Sequence, residues 1–246
     1  RIDLLTMFDD YERVMVTRVH DTTIMIPNTR KHMLKYKESV SYLLAERLEL
    51  DSFERLEVLK LVDRPVNKNV MKCGWVYDKN LNLDGNLVHK ARLVAKGYSQ
   101  VHGLDFFEVF SPTMQTKTFR TLLALASNDD SILTESWDVS TAFLYAPMDE
   151  DVYVEQPDGY VKHGRDKVYK MMKSMYGTKQ ASRNWNKTVM KTLCNIGFKQ
   201  SVNDSCLYML KRNDGKIINV LIHVDDFAVF HNDKLLCSSV FSKLND

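Results

Sequence analysis

The sequence predicts an α+β fold, and three observations lead to that prediction. Two apolar, β-branched runs flank a short polar turn in the segment 217–230, which is the pattern of a β-hairpin. Apolar residues recur at helical spacing from about Ala181 to Asn195, and a second helical pattern covers Thr118 to Ser127. Strands and helices therefore both supply core residues. The 246 residues suffice to bury a good core in one or two domains.

The first part of the chain divides at about residue 44. Residues 1–44 are mixed and charged, with a break at 27–29, and we expect an N-terminal flank or linker there. A roughly helical apolar pattern begins at about residue 45 and contains Leu48, Leu50, Phe53, Leu56, Leu59 and Leu61. Strands are predicted at 74–77 and 87–94, separated by a turn at 80–86 that contains Asp84-Gly85. With the helix at 118–127 they form a region spanning 45–130.

Residues 131–246 show a different order of elements: strand, short helix, strands, longer helix and hairpin. The longer helix carries its apolar stripe on Trp185, Val189, Leu193 and Ile196, and Gly197 is placed to end it. We assign that stripe to the core. A further helix is predicted to start near Lys234.

Acidic residues lie at the turn of the predicted hairpin and at the end of a predicted strand upstream. Asp225 and Asp226 occupy the tip of the predicted hairpin, and Asp138 ends an apolar strand far upstream. Adjacent like charges cost electrostatic energy unless a cation or solvent relieves it. Three such carboxylates suit a divalent metal. The alternative is structural, since Asp-Asp is also a common turn dipeptide.

The charge of the chain is nearly balanced but unevenly distributed. The formal net charge is +2 with histidine neutral. Between Tyr160 and Gln200 there are ten Lys or Arg and one acid, whereas Ser131 to Tyr160 holds seven acids and no Lys or Arg. An acidic block beside a basic block favours an enzyme that handles nucleic acid at a metal centre. The alternative is a basic helix face that only meets solvent.

Cysteine spacing and hydropathy exclude several classes of protein. The four cysteines, Cys73, Cys194, Cys206 and Cys237, form no CxxC pair, which argues against a zinc site or a disulfide framework and for a reducing compartment. No apolar run is long enough to span a bilayer, and the N-terminus lacks the pattern of a secretory signal. We expect no membrane partner.

Four segments in fixed order resemble the reverse transcriptase of copia-type LTR retrotransposons. They are VHKARLVAKGYSQ at 88–100 with FSP at 110–112, WDVSTAFL at 137–144 with VYVEQPDGY at 152–160, KSMYGTKQASRNW at 173–185, and HVDD at 223–226. The resemblance extends from about residue 45 to the end. It implies a right-hand polymerase fold with a fingers subdomain at 45–130 and an incomplete ferredoxin-like palm at 131–246, the thumb being absent.

The resemblance also implies a reaction and its metals. It indicates an RNA-directed DNA polymerase that joins a deoxynucleoside triphosphate (dNTP) to a primer hydroxyl, with Mg²⁺ or Mn²⁺ as cofactor. Asp138 and Asp225 are then the principal metal ligands. Asp226 shapes the field and binds less directly.

Contacts with substrate follow from the same segments. Lys90 and Arg92 are two apart in a strand, share a face and are expected to meet the triphosphate. By position in the resemblance, Phe143 lies below the incoming sugar, where its volume excludes a 2′-hydroxyl, and Gln180 faces the nascent base pair. Lys179, Arg183 and His223 are expected to contact the nucleic acid. The alternatives are a buried aromatic for Phe143, ordinary surface cations for Lys90 and Arg92, and a solvated side chain for Arg183.

Some positions depart from the family pattern. His223 stands where the family has tyrosine, Ala146 replaces a glycine, and Thr178 and Ser182 replace Leu and Pro. Two alternatives to an active polymerase therefore stay open, an inactive remnant that folds and binds nucleic acid and a two-metal nuclease.

The resemblance finally implies partners and a location. We expect an RNA or DNA template-primer, dNTP, and ribonuclease H and integrase domains within a longer polyprotein. The expected location is the cytoplasm, in retroelement particles, with the nucleus as a further site. The family has more palm and a thumb after the position of Asp246, so we expect weak or no polymerase activity from this chain alone.

Overall fold

The computed structural model describes residues 26–81, 86–162 and 164–245. Its helices are α1 (Arg30–Met33), α2 (Ser39–Arg55), α3 (Thr116–Asn128), α4 (Ala181–Ile196) and α5 (Lys234–Asn245), with 3₁₀ turns at Gly97–Ser99 and Ala142–Tyr145. Its strands are β1 (Leu59–Asp63), β2 (Val70–Met71), β3 (Cys73–Leu81), β4 (Leu87–Ala95), β5 (Leu133–Asp138), β6 (Tyr153–Val154), β7 (Lys167–Met171), β8 (Lys199–Gln200), β9 (Leu207–Lys211), β10 (Ile217–His223) and β11 (Asp226–His231). The predicted α+β composition is confirmed. The Asp84-Gly85 turn lies outside the described residues.

The chain forms two compact units. The first contains Trp75–Arg92 and the described residues up to Glu46, and the second contains Arg47–Gly74 and Leu93–Asp246. These units are defined by contacts and are not the predicted fingers and palm, whose boundaries stay predictions. Among the described residues, no helix has the length and apolar content needed to cross a membrane.

The first unit is organised around the buried carboxylate of Glu46. This side chain accepts hydrogen bonds from Arg30 Nε at 3.2 Å and from the Tyr77 hydroxyl at 2.5 Å. The ring of Tyr42, fully buried, packs edge-on against Tyr77. Residues 30–44, which we expected to be flank or linker, thus include two helical segments with buried side chains. Residues 1–25 of that range lie outside the described residues.

The leucine pattern that starts at residue 45 is split between a helix and a strand. Helix α2 ends at Arg55, and Glu57 follows with a left-handed φ of 52°. Leu59 and Leu61 therefore belong to β1, which pairs antiparallel with β7. Extending the helical pattern to them was wrong, because their two-residue spacing is the period of a strand.

A five-stranded antiparallel sheet forms the centre of the second unit, in the order β5-β11-β10-β9-β8. The predicted hairpin is β10 and β11, and the predicted helices are α3 and α4. Gly197 ends α4 with φ of 112°. Strands β8 and β9 had not been predicted.

Each face of this sheet packs against helices. One core cluster joins the sheet to α4 and α5 and includes Trp137, Trp185, Val189, Leu193, Val220, Phe227, Val229 and Val240. The cluster on the other face joins it to α3 and includes Phe119, Leu122, Leu221 and Phe230. Because both faces are covered along most of their length, the ends of the strands are the places left for chemistry.

Two glycines bring segments distant in sequence together. A Cβ on Gly97 would lie 2.0 Å from the carbonyl oxygen of Gly177, and Gly177 itself has φ of 87°. The Ala95 N–H donates to the Tyr176 carbonyl at 2.8 Å beside them. Only residues without a side chain fit this approach. It fixes the loop that follows β4 against the segment that leads into α4.

Candidate active site at the acidic hairpin

The hairpin turn consists of two residues, Val224 and Asp225, because His223 pairs directly with Asp226. Val224 has a left-handed φ of 60°. Positive φ at the first turn position is what a tight hairpin turn of type II′ requires, although it costs a β-branched residue about 1–3 kcal/mol. The surrounding structure must hold such a turn in place.

Trp185 provides one of those supports. Its indole Nε1 donates a hydrogen bond of 2.6 Å to the Val224 carbonyl. The apolar part of the ring is buried in the cluster under the sheet. We had assigned Trp185 to the core alone. Its helical spacing correctly placed the ring, but the bond to a turn 39 residues away carries no sequence signal.

Strand pairing brings the three aspartates to one end of the sheet. Asp138, the last residue of β5, is directly opposite Asp226 in the antiparallel ladder. The Val139 N–H extends the pairing by donating to the Asp225 carbonyl at 3.2 Å. Opposite residues in such ladders have Cα atoms about 4.5–5.5 Å apart and side chains on the same face. Residues separated by more than 80 positions therefore form one acidic cluster.

The electrostatics of the cluster are those of repelling carboxylates. Burial raises the pKa of Asp226, and the charges of Asp225 and Asp138 raise it further, while His223 opposes them. Asp138 is exposed and the other two are half-buried. The site is thus reachable from solvent, and its carboxylates repel one another in their charged forms.

This arrangement fits a hard divalent cation. Mg²⁺ binds through one or two carboxylates and keeps water or phosphate oxygens for its other positions. Three neighbouring aspartates, one exposed and two half-buried, supply such oxygens, and a bound cation would remove their repulsion. Among the described residues, they are not a set whose ligand atoms all lie within 4.8 Å of one another, so a shared cation would have to draw the carboxylates together. The residues that would hold it are Asp138 and Asp225, with Asp226 beside them.

Phe143 lies in the 3₁₀ turn that follows Asp138 by a few residues. Its ring is half-buried and packs edge-on against Tyr176, with 5.2 Å between ring centroids. It also contacts the core cluster shared with α4. The ring therefore has one side in the protein and an accessible remainder.

Gln180 lies in a buried polar network next to the start of α4. It is fully buried and joined to a polar network: its Oε1 accepts from Gln100 Nε2 at 2.9 Å, and its Nε2 donates to the Asp105 carbonyl at 2.9 Å and to Glu150 Oε2 at 3.2 Å. These bonds hold the loop after β4 against the start of α4. Its contact with a base pair stays a prediction.

The predicted nucleic-acid contacts Lys179 and Arg183 differ in their surroundings. Lys179 is exposed, with Nζ 4.8 Å from the centroid of the Phe106 ring. Arg183 is 19% exposed and forms ion pairs with Glu108 and, at 3.7 Å, with Asp149. His223 faces Asp226 across the hairpin. Their contacts with nucleic acid are untested.

The basic block of 160–200 is partly neutralised by the fold. Five of its ten cations pair with acids from elsewhere in the chain, namely Lys162, Lys167, Lys170, Arg183 and Lys187. Lys90 and Arg92 lie on the exposed side of β4, as their spacing predicted. They belong to the first compact unit, whereas the aspartates belong to the second.

Comparison with known proteins agrees with the motifs. Residues 56–245 match the profile of the family described as reverse transcriptase (RNA-dependent DNA polymerase). The chain is 35% identical over 221 residues to the retrovirus-related Pol polyprotein from transposon TNT 1-94 of Nicotiana tabacum, covering 89% of the chain and 17% of that protein. It is 39% identical over 183 residues to that from transposon RE1 of Arabidopsis thaliana, covering 74% and 12%.

Solved structures similar to the chain include the foamy viral protease-reverse transcriptase in complex with double-stranded DNA. The identity is 13%, the coverage is 83% of this chain and 28% of that one, and the TM-score is 0.37.

The family profile covers well over half of the chain and therefore places it in the class of reverse transcriptases. More particularly, the chain belongs to the reverse transcriptase family and is a reverse transcriptase domain of a copia-type retrotransposon Pol polyprotein. It spans about one sixth or less of the length of these two relatives.

Proposed function

We propose that this domain is an RNA-directed DNA polymerase that adds deoxynucleotides to a primer 3′-hydroxyl by two-metal catalysis. The observation that supports the proposal is that backbone pairing places Asp138, Asp225 and Asp226 together at one end of the sheet. Mg²⁺ or Mn²⁺ held there supplies activation of the attacking hydroxyl and neutralisation of the leaving pyrophosphate.

The chain's own residues set up this site by position. Asp138 ends β5 and Asp225 lies in the tight turn between β10 and β11, and the hydrogen bond from the Val139 N–H to the Asp225 carbonyl ties the two segments together. Trp185 and the tight turn hold Asp225. Rigid elements of this kind position reacting groups better than loops do. A nuclease would use the same carboxylates, but the sequence motif that holds Asp138 also carries Phe143, whose partly accessible ring supports a polymerase that selects sugars.

Primer extension with the Asp225→Asn variant tests the proposal. We expect extension on RNA and DNA templates, with Mg²⁺ or Mn²⁺, to fall by at least about 100-fold, because one ligand oxygen becomes an amide. The matched control is Asp130→Asn, an exposed aspartate that precedes β5. Thermal unfolding verifies that both variants fold. Extension by Asp225→Asn at the wild-type rate would contradict the metal assignment.

Phe143 is the proposed sugar gate. Its ring comes five residues after Asp138, is half-buried and keeps an accessible side, which supports a role in limiting the volume below an incoming nucleotide. Replacing it with alanine should raise incorporation of ribonucleotides relative to deoxyribonucleotides. Tyr145→Ala, in the same turn but more exposed, is the control. Unchanged sugar selectivity in a folded Phe143→Ala variant assigns the ring to the core alone.

A second candidate is a chain that binds nucleic acid without catalysis. His223, which stands where the family has tyrosine, lies directly opposite Asp226, so this departure falls inside the carboxylate cluster. Binding of template-primer without any extension, under conditions in which His223→Tyr restores extension, would favour this candidate.

The proposed partners are a template-primer, dNTP, and ribonuclease H and integrase domains of a longer polyprotein. Lys90 and Arg92 are proposed to meet the triphosphate, and Gln180 the base pair. The proposed setting is a cytoplasmic retroelement particle, with the nucleus as a further site. Fractionation of cells that express the element tests the location.

A further inference from the structure

A second cluster of metal-binding side chains lies on the same central sheet. Glu135 of β5, His231 of β11 and Cys237 of α5 each place one possible ligand atom within 4.8 Å of those of the other two. Glu135 is three residues from Asp138 and His231 is five from Asp226. Because side chains alternate along a strand, this cluster is on the opposite face from the aspartates.

The distances within the cluster are compatible with a shared ion. His231 Nε2 lies 3.2 Å from Glu135 Oε1, and Cys237 Sγ lies 3.8 Å from Glu135 Oε2. A tetrahedral Zn²⁺ with bonds of about 2.0–2.3 Å to nitrogen, oxygen and sulfur separates its ligands by about this much. The three side chains could therefore bind one ion without a large movement of the backbone.

The burial of His231 leaves one polar atom without a partner. The ring is fully buried, and Nδ1 has no hydrogen-bond partner among the described residues. Buried polar groups are nearly always satisfied, so such an exception marks a place where an ion or a water molecule is expected. The two ring nitrogens point to opposite sides of the imidazole, so Nδ1 faces away from Glu135 and an ion shared with Glu135 would bind through Nε2.

We propose that Glu135, His231 and Cys237 form a binding site for Zn²⁺ that joins α5 to strands β5 and β11. Thiolate, imidazole and carboxylate are all zinc ligands, and three protein ligands leave a fourth position for water. A thiolate ligand favours Zn²⁺ over the hard Mg²⁺ that is proposed for the aspartate site. Glu135, whose side chain is 37% exposed, provides the entry from solvent.

The site was not predicted because its ligands are far apart in sequence. Cysteine spacing argued against a zinc site, and it does so only for sites built on several cysteines. Here a single cysteine is combined with residues 102 and six positions away, which strand pairing and helix packing bring together.

Binding must displace a proton from Cys237. Burial raises the pKa of this thiol to about 12, and the Glu135 carboxylate adds to the effect. The thiol therefore enters the site protonated and releases H⁺ to solvent when the zinc–sulfur bond forms. Affinity is expected to increase with pH for this reason.

Titration with Co²⁺, a spectroscopic substitute for Zn²⁺, tests the site without any polymerase assay. A sulfur-to-cobalt charge-transfer band is expected in the wild type, is displaced by Zn²⁺, and cannot come from the aspartate site. The band should be lost in Cys237→Ser and kept in Cys206→Ser, a buried cysteine in the cluster on the other face. Absence of the band in the wild type, or its persistence in Cys237→Ser, overturns the proposal.

Because Cys237 and His231 are buried, a variant at the exposed ligand guards against misfolding. Glu135→Gln should weaken Co²⁺ binding at least about tenfold, since loss even of an outer-shell partner costs 10–100-fold. Zn²⁺ should also raise the midpoint of thermal unfolding in the wild type more than in Glu135→Gln. Equal affinity in the two proteins overturns the assignment of Glu135 as a ligand.

Discussion

The pKa values of carboxylates on the two faces of the central sheet are shifted in opposite directions. Burial alone would raise the pKa of Glu135, but hydrogen bonds from Trp137 and His231 outweigh it, and the pKa is lowered. On the other face, burial and the neighbouring aspartates raise the pKa of Asp226. Both residues lie on paired strands of one sheet.

The difference lies in the donors that each carboxylate receives. Glu135 accepts from the Trp137 indole at 3.0 Å and from the imidazole and thiol of its cluster. Asp226 has acids as neighbours and His223 as the group that opposes them. A carboxylate supplied with donors stabilises the fold, whereas repelling carboxylates cost stability that only a ligand recovers.

Removing the satisfied carboxylate should have the largest effect on stability. Glu135→Ala leaves the Trp137, His231 and Cys237 donors without their acceptor, and two of those groups are inaccessible to water. We expect the free energy of unfolding to fall by about 1–3 kcal/mol in metal-free buffer. Urea unfolding measures this.

Glu135→Gln provides the control for that measurement. Its amide keeps one oxygen acceptor but points an N–H₂ group at a donor, so an intermediate loss is expected. Stability of Glu135→Ala equal to that of the wild type would show that the cluster is not a supporting contact.

Neutralising Asp226, the carboxylate that is repelled by its neighbours, should instead increase stability. Because the pKa of Asp226 is raised, the folded state binds a proton more readily than the unfolded state, and stability decreases as pH rises from the ordinary Asp range through the raised value. In EDTA at pH 7, Asp226→Asn should therefore raise the midpoint of thermal unfolding by up to about 3 °C. The gain should vanish below the ordinary Asp pKa of about 3.9, where the wild type is also protonated.

Glu135 has the reverse pH dependence. Its lowered pKa gives stability that is fully present above the ordinary Glu value and is lost as pH falls through the folded value. Acid unfolding should thus be less steep in Glu135→Gln. A neutral-pH stability of Asp226→Asn below that of the wild type would contradict the repulsion at the hairpin.

Local patterns were enough to predict the hairpin and its aspartates. Two apolar, β-branched runs indicated the strands, and the polar residues between them indicated the turn, which was placed one residue too late because the turn is Val224-Asp225 and Asp226 already belongs to β11. Helix α4 followed from its apolar stripe and from Gly197. Each of these features depends on residues close in sequence, where spacing and backbone preference decide the structure.

Features that depend on distant partners were not predicted. The Gln180 network uses Gln100 and Asp105, about 80 positions away, and the Glu135 cluster needs both a strand pairing and a helix packing. Hydrogen-bond satisfaction in the core is a property of the assembled fold. The cations of the basic block belong here too, since the sequence shows their number but not which acids neutralise them.

Lys179 and Arg183 show a similar contrast between two cations, which differ in whether carboxylates hold them. The side chain of Lys179 is exposed above Phe106, whereas Arg183 is held by Glu108 and Asp149. Each phosphate contacted on duplex DNA contributes about −0.9 to the slope of log affinity against log salt. If the domain binds template-primer as proposed, Lys179→Gln should flatten that slope by about one unit.

Arg183→Gln should change the slope less. The charge of Arg183 is already balanced by two carboxylates, so its contact with a phosphate would release fewer counterions. The same substitution frees those carboxylates, so affinity should still fall at every salt concentration, through repulsion of the nucleic acid. Fluorescence anisotropy with a labelled template-primer, measured across a salt series, separates the two effects. An equal change of slope in both variants would mean that nucleic acid displaces the Glu108 and Asp149 pairs, and a slope of zero in the wild type would mean that the block contacts solvent only.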